Sequence, residues 1–337
     1  MPAASGRSAE SCWAYSRDEL PAGSGFCGTP CSATSIRAGN ASGIHSRRIE
    51  VKAKLDGPAR EIVDYYTQVP EESRLKAGSS QLEFERTKEL IGRFLPPPPA
   101  HIVDVGGGSG PYAFWLASLG YSVHLVDATA RLVEEAGRLN DASPQPLTSI
   151  AIGDARSLSL ADASVDAVLL LGPLYHLPDQ SDRLEALREA KRVLRTNGVV
   201  IAAGISRYAG TLDSLALNPT LEPRVVRMRH RALVDGQYRN ETDNPRYFVT
   251  AYFHRPEDLV QEIADAGYQD VRVFGVEGPC WLLPDFEARW NDRERRRNLL
   301  EVARLLEQET SVVGVSAHLL AIGTKPGSAD AVGTRGP

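Results

Sequence analysis

Among 337 residues there is no run of about 18 consecutive apolar residues, so the chain offers no membrane-spanning helix. Its N-terminus has no apolar core of about 7–15 residues, and no secretory signal is expected. Positive charge is not in excess either. With 38 Lys and Arg against 43 Asp and Glu, the formal net charge of -5 gives no general attraction to nucleic acid or to an anionic membrane. Four cysteines are too few and too scattered for a disulfide framework. Cys27 and Cys31 have no His or Cys pair following at zinc-ligand distance, so no metal is expected. These absences predict a cytoplasmic protein.

Composition divides what is present. Residues 1–54 carry nine Ser before position 47 and no sustained apolar period. They are expected to be a disordered or loosely attached leader, either a targeting segment or an over-extended start. A folded domain is expected over 55–325 and a flexible tail over 326–337. Two cap helices fall within 57–95, closed by the prolines at 96–99. Strand-like runs at 101–105, 122–126, 147–152, 165–171 and 199–203 then alternate with helical patterns at 112–119, 130–139 and 181–194. That alternation predicts an α/β fold with a parallel sheet covered on both faces. Residues 205–253 interrupt it with prolines, a basic run and several aromatics, as an inserted lid over a substrate would. A helix at 256–266, a strand at 271–274, a charged helix at 284–308 and a last strand at 316–323 bring the strand count to seven.

The chemistry gathers at the carboxyl ends of these strands. Asp104, Val105, Gly106, Gly107, Gly108, Ser109 and Gly110 follow the first strand, and glycines at 106, 108 and 110 let a nucleotide-like ligand approach main-chain N–H groups. A dinucleotide turn would place its third glycine at 111, where the residue is Pro, which argues against NAD. Asp127 ends the second strand, where a carboxylate can accept both hydrogen bonds of a ribose diol. Asp154 and Ala155 end the third, suited to an adenine. The fourth ends in an apolar wall from Leu170 and Leu171 that leads to Tyr175 and His176.

With those residues in place, the chain resembles the class I S-adenosylmethionine-dependent methyltransferases from about Tyr66 to Lys325, most specifically between Asp104 and Gly204. The resemblance implies a Rossmann-like, doubly wound, seven-stranded sheet, mostly parallel with an antiparallel last strand, preceded by N-terminal helices. It implies S-adenosyl-L-methionine as cofactor. It also places Asp127 as the ribose-binding acid, Asp154 as the adenine-binding acid, Arg86 near the methionine carboxylate and Tyr66 over the cofactor. Arg86 equally fits a solvated helix face.

Methyl transfer by displacement depends chiefly on alignment, so no catalytic signature is obligatory. His176, on the side where the methyl group should lie, is the candidate general base, with Tyr175 beside it to stack or position substrate. Gly172 offers no side-chain acceptor where amine-modifying nucleic-acid methyltransferases carry Asn or Asp. The expected partner is therefore a small molecule with an O, N or C nucleophile, with no nucleic acid and no membrane, and oligomeric state is left open. The alternatives are a non-catalytic cofactor-binding partner of the same fold and a nucleotide-dependent oxidoreductase.

Overall fold

A computed structural model describes residues 58–68, 74–216, 222–242, 244 and 247–327. The expected leader and residues 328–337 of the expected tail lie outside the described residues. Two helices come first, α1 (Pro58–Gln68) and α2 (Ser80–Phe94). The alternating part is β1 (His101–Val105), α3 (Pro111–Ser118), β2 (Ser122–Asp127), α4 (Ala130–Asp141), β3 (Ser149–Ile152), β4 (Val165–Leu170), α5 (Pro173–His176), α6 (Gln180–Val193) and β5 (Leu194–Ser206). The insertion holds α7 (Ala209–Ala216), α8 (Pro223–Asp235), β6 (Gln237–Tyr238) and β7 (Ala251–His254). The chain then runs through α9 (Pro256–Asp265), β8 (Gln269–Gly275), α10 (Phe286–Asn291), α11 (Arg293–Leu306) and β9 (His318–Thr324). Among the described residues, no helix is long and apolar enough to cross a membrane.

The sheet runs β3-β2-β1-β4-β5 in parallel, and β9 then pairs antiparallel with both β5 and β8. Side chains alternate across it. Val103, Val105, Val168, Leu170, Val200 and Ala202 face α6 and α9 in one core layer. Ile102, Ala167, Leu169 and Ile201 face α2 and α3 in the other. Both layers are apolar, which is why these strands read as continuous hydrophobic runs, and each fully buried Val, Leu or Ile contributes about 1.5–3 kcal/mol.

Two details differ from the sequence reading. The insertion does not simply hang off the sheet, because β7 re-enters it. Ile205 pairs with His318 on one side and with Phe253 on the other, so β7 extends the edge of β5 beyond the end of β4. The charged helix at 284–308 is also two helices, because the Asp292 side chain accepts the N–H groups of Glu294 and Arg295 and caps α11 as a new start.

From β1 the chain steps outward to β2 and β3, then crosses back to β4 on the other side. Helices leave in opposite directions at the carboxyl ends of β1 and β4, and a crevice opens between them.

Candidate functional site

A cleft lies in that crevice. It is lined by the β1 turn from Asp104 to Ser109, by Asp127, Asp154, Ala155 and Leu171, and by Tyr175 and His176. Tyr66, Arg74, Phe84 and Tyr112 complete its wall.

Asp104 is 0% exposed, yet neither carboxylate oxygen has a hydrogen-bond partner; the Ala113 amide exerts only a small stabilising pull. Burial, reinforced by the nearby Asp127 charge, raises its pKa to about 7. Room for this carboxylate requires glycine at 107, where a Cβ would stand 2.7 Å from Asp104 Oδ2. Gly108 has φ +57, which glycine adopts without strain, and its N–H donates to Asp127 Oδ2 at 2.8 Å. The Thr129 N–H donates to Asp127 Oδ1, also at 2.8 Å, so the Asp127 carboxylate is aimed by two backbone groups.

Asp154 lines the cleft but is forked by Arg156, which itself reaches Asp182. Burial would raise the Asp154 pKa, and the Arg156 hydrogen bonds outweigh it and lower it.

At the end of β4, the one-turn helix α5 presents Tyr175 and His176. The Tyr66 hydroxyl lies 2.8 Å from His176 Nε2. His176 Nδ1 is buried without a hydrogen bond of full geometry, although the Thr250 backbone still favours a proton there. Burial dominates and lowers the His176 pKa to about 4, so the ring is neutral at pH 7. Phe248 and Tyr65 add their rings to the same cluster, 5.5 Å from His176 and 6.1 Å from Phe248 respectively. α1 is tied down over the cleft at two further points. Thr250 Oγ1 donates to the Glu61 carboxylate at 2.9 Å, and Arg131 donates to the Tyr66 carbonyl at 3.0 Å.

Two of the residues expected from sequence lie elsewhere. Arg86 is 0% exposed and away from the cleft wall, paired with Glu89 at 2.6 Å and with Glu307. The cause is visible in the chain. Arg86 stands four residues from Leu82 and four from Leu90, on the face of α2 that packs inward. The cleft receives Arg74 instead, from the segment before α2 and outside any periodic pattern. Gly110 also does not line the cleft. It caps α3 with φ +93, and a Cβ there would meet Phe114 at 2.9 Å, so it serves the turn. Phe84, Arg156 and Thr250 were not singled out from sequence as site residues, and only the folded chain brings them to it.

The residues present suit a nucleoside with a cationic tail. A buried carboxylate without a partner calls for a cation, Asp127 is an oriented acceptor beside an open backbone, and the rest of the wall is largely apolar.

Comparison with known proteins finds methyltransferases. The sequence profile of the methyltransferase domain matches residues 103–202. Methyltransferase GfsG of Streptomyces halstedii is 33% identical over 135 residues, 39% of this chain and 47% of that protein. An O-methyltransferase of Pyrenophora dematioidea is 32% identical over 149 residues, 41% of this chain and 51% of that protein. The chain thus spans about half the length of the curated relatives it matches. Among solved structures, an S-adenosylmethionine-dependent methyltransferase from Methanosarcina mazei superposes with a TM-score of 0.48 at 19% identity, over 70% of this chain and 97% of that one.

Proposed function

From the premise that the chain carries a class I S-adenosylmethionine-dependent methyltransferase domain, we propose that it transfers a methyl group from S-adenosyl-L-methionine to a nucleophile on a small molecule. The observation that carries this reading is the buried, partnerless carboxylate of Asp104 beside the glycine turn and the oriented Asp127. When bound, the cofactor supplies an electrophilic methyl group on a sulfonium. The chain supplies binding and alignment.

Asp104 receives the ammonium of the methionine moiety, and the N–H groups of the turn 106–109 line its path. Asp127 takes the ribose diol, Asp154 and Ala155 border the adenine, and Leu171 packs against it. The acceptor end is formed by Tyr66, Tyr175 and His176. With Nε2 accepting from Tyr66, His176 has the tautomer of a neutral base, and it can draw a proton from an acceptor hydroxyl either directly or through the Tyr66 hydroxyl. A low pKa means that this base is weak but available across neutral and mildly acidic pH. The apolar and aromatic surroundings favour an uncharged, ring-bearing acceptor over an ionic one.

Calorimetry with S-adenosylhomocysteine and NAD tests the cofactor, and radiolabelled methyl donor with fractionated metabolites tests transfer. Binding of S-adenosylhomocysteine with labelled product is the expected result. Tight NAD binding without a response to S-adenosylhomocysteine refutes the reading, and binding without labelled product in any fraction leaves a cofactor-binding partner in its place.

A further inference from the structure

Beyond the acceptor end of the cleft lies a buried ion pair that the methyl-transfer reading leaves unused. Arg183, early in α6, is 2% exposed, and Glu262 of α9 is 3% exposed. The guanidinium donates to Glu262 through Nε at 2.9 Å and through Nη2 at 2.6 Å. Its third nitrogen, Nη1, donates to the Leu177 carbonyl and to the Pro178 carbonyl, both at 2.8 Å. Four of the five N–H donors that a guanidinium carries are thus turned into the protein. Cζ stands over the Tyr252 ring, 3.7 Å from its centroid. The Pro178 carbonyl accepts a further bond from Gln237 Nε2 at 3.0 Å.

Leu177 and Pro178 directly follow His176. We propose that Arg183 is a positioning residue for His176: fixed by Glu262, it holds the two carbonyls that follow α5 and so keeps the imidazole at the acceptor end of the cleft. The inference rests on the methyltransferase reading for the task it gives that imidazole. A single helical turn such as α5 has little stability of its own, because nucleation costs more than its few hydrogen bonds supply. Something outside α5 must set its end. A buried ion pair adds little to stability, since well-packed apolar residues of similar volume often do as well. What this pair supplies is direction. Glu262 fixes one edge of the guanidinium, and Nη1 then meets both carbonyls.

The anchor keeps its charge well below neutral pH. Burial would raise the Glu262 pKa, but the bonds from Arg183 and His254 outweigh it and lower it to about 2. His254, at the end of β7, is 0% exposed with Nε2 3.3 Å from Glu262 Oε2, and burial lowers its pKa despite that carboxylate. Tyr252 and His254 belong to β7, Gln237 to β6 and Glu262 to α9, so the insertion and the helix after it converge on the two residues behind the base. The His176 ring is neutral because it is buried. Release of the Leu177 and Pro178 carbonyls would admit water to it, and its pKa would climb toward the ordinary 6.5.

The test reads the His176 ring directly, by NMR of the full chain labelled at histidine, with its signal assigned by its loss in His176→Asn. In the unmodified protein the ring should titrate near pH 4. Replacing Arg183→Met and Glu262→Met together removes both charges and leaves neither buried alone. The ring should then titrate about one pH unit higher or more. Gln237→Met takes only the second donor from Pro178, and Gln237 Oε1 has no hydrogen-bond partner among the described residues, so this variant should fold. Its shift should be smaller and in the same direction. Calorimetry with S-adenosylhomocysteine should give affinities within about threefold of the unmodified protein in both, since the cofactor half is untouched. A merely structural fault would lower the melting temperature and leave the titration where it was. A ring that titrates near 4 in every variant that folds, or near 6.5 already in the unmodified protein, overturns the proposal and leaves the methyltransferase reading standing. Failure of S-adenosylhomocysteine to bind the unmodified protein refutes both.

Discussion

Replacing Asp104 by Asn should make the ligand-free protein more stable and the site worse. An unfolded aspartate titrates near 3.8, and in the folded chain burial and Asp127 move it to about 7. Because the folded pKa is raised, stability is greatest below the unfolded value and is lost as pH rises toward about 7. At 1.36 kcal/mol per pH unit, the cost of the buried charge is roughly 1.5 kcal/mol at pH 5 and roughly 4 kcal/mol at pH 7 and above. Asn removes that charge but leaves an amide without partners, which costs about 1–3 kcal/mol. The net gain at pH 8 is therefore about 2 kcal/mol, or about 4–8 °C in Tm for a domain of this size, and close to zero at pH 5. Thermal melts at the two pH values measure this directly. The same variant should bind S-adenosylhomocysteine roughly 10- to 100-fold more weakly, because a charge-assisted hydrogen bond to the ammonium is gone. A variant that is no more stable at pH 8, or that binds with unchanged affinity, would show that the Asp104 charge is compensated by the protein itself and refute the reasoning.

The remaining expectations concern the acceptor end, α2 and the turn. His176→Asn should lower turnover about 10²–10⁴-fold with cofactor affinity nearly unchanged. Because the His176 pKa is lowered to about 4, the wild-type rate should hold from neutral pH down to about pH 5 and fall only below it. Steady-state kinetics on the acceptor identified by radiolabelling decide this, and an acid limb centred near 6.5 would count against a buried, neutral base. Arg86→Met should cost about 2 kcal/mol in denaturant unfolding, since Glu307 and Glu89 lose a partner but retain some access to water. Its cofactor affinity should be that of the wild type, and a selective loss of binding would return Arg86 to the site. Gly108→Ala places a Cβ on a residue with φ +57, at a strain of about 1–2 kcal/mol, and obstructs the ligand path. Equal affinity in that variant would remove the turn from the site.

Much of the fold was legible because buried parallel strands leave a strong mark. Ile102, Val103, Val168 and Leu169 form short apolar runs, and the glycine turn punctuates the first of them. The cleft residues Asp127, Asp154 and His176 were legible for a related reason, since each lies at or shortly after the carboxyl end of a strand, and strand ends can be placed by counting. What depended on contacts across long stretches of chain was not. The Tyr66–His176 hydrogen bond spans 110 residues, and nothing local to either residue marks it. Arg86 and Arg74 show the same limit in reverse. A helical arginine invites assignment to a site, but its place beside Leu82 and Leu90 turns it inward, while Arg74 reaches the cleft from a segment with no periodicity to read. The strand β7 escaped for want of length, because four residues in a proline- and aromatic-rich stretch do not establish an alternating pattern.

The return of β7 to β5 has a consequence for how the insertion between them can change. Ser206 pairs with His254, and the Arg207 N–H donates to the His254 carbonyl at 2.7 Å, so the excursion that begins after Ser206 closes where it started. The sheet meets the excursion at that hydrogen-bonded neck, while Thr250 and Phe248 reach α1 and His176 from within it. Lengthening a loop whose ends are already joined costs little, about 0.6 kcal/mol for each doubling. The segment between can therefore change in length at little cost to the sheet, provided that the Thr250 contact to α1 and the Phe248 contact to His176 are kept.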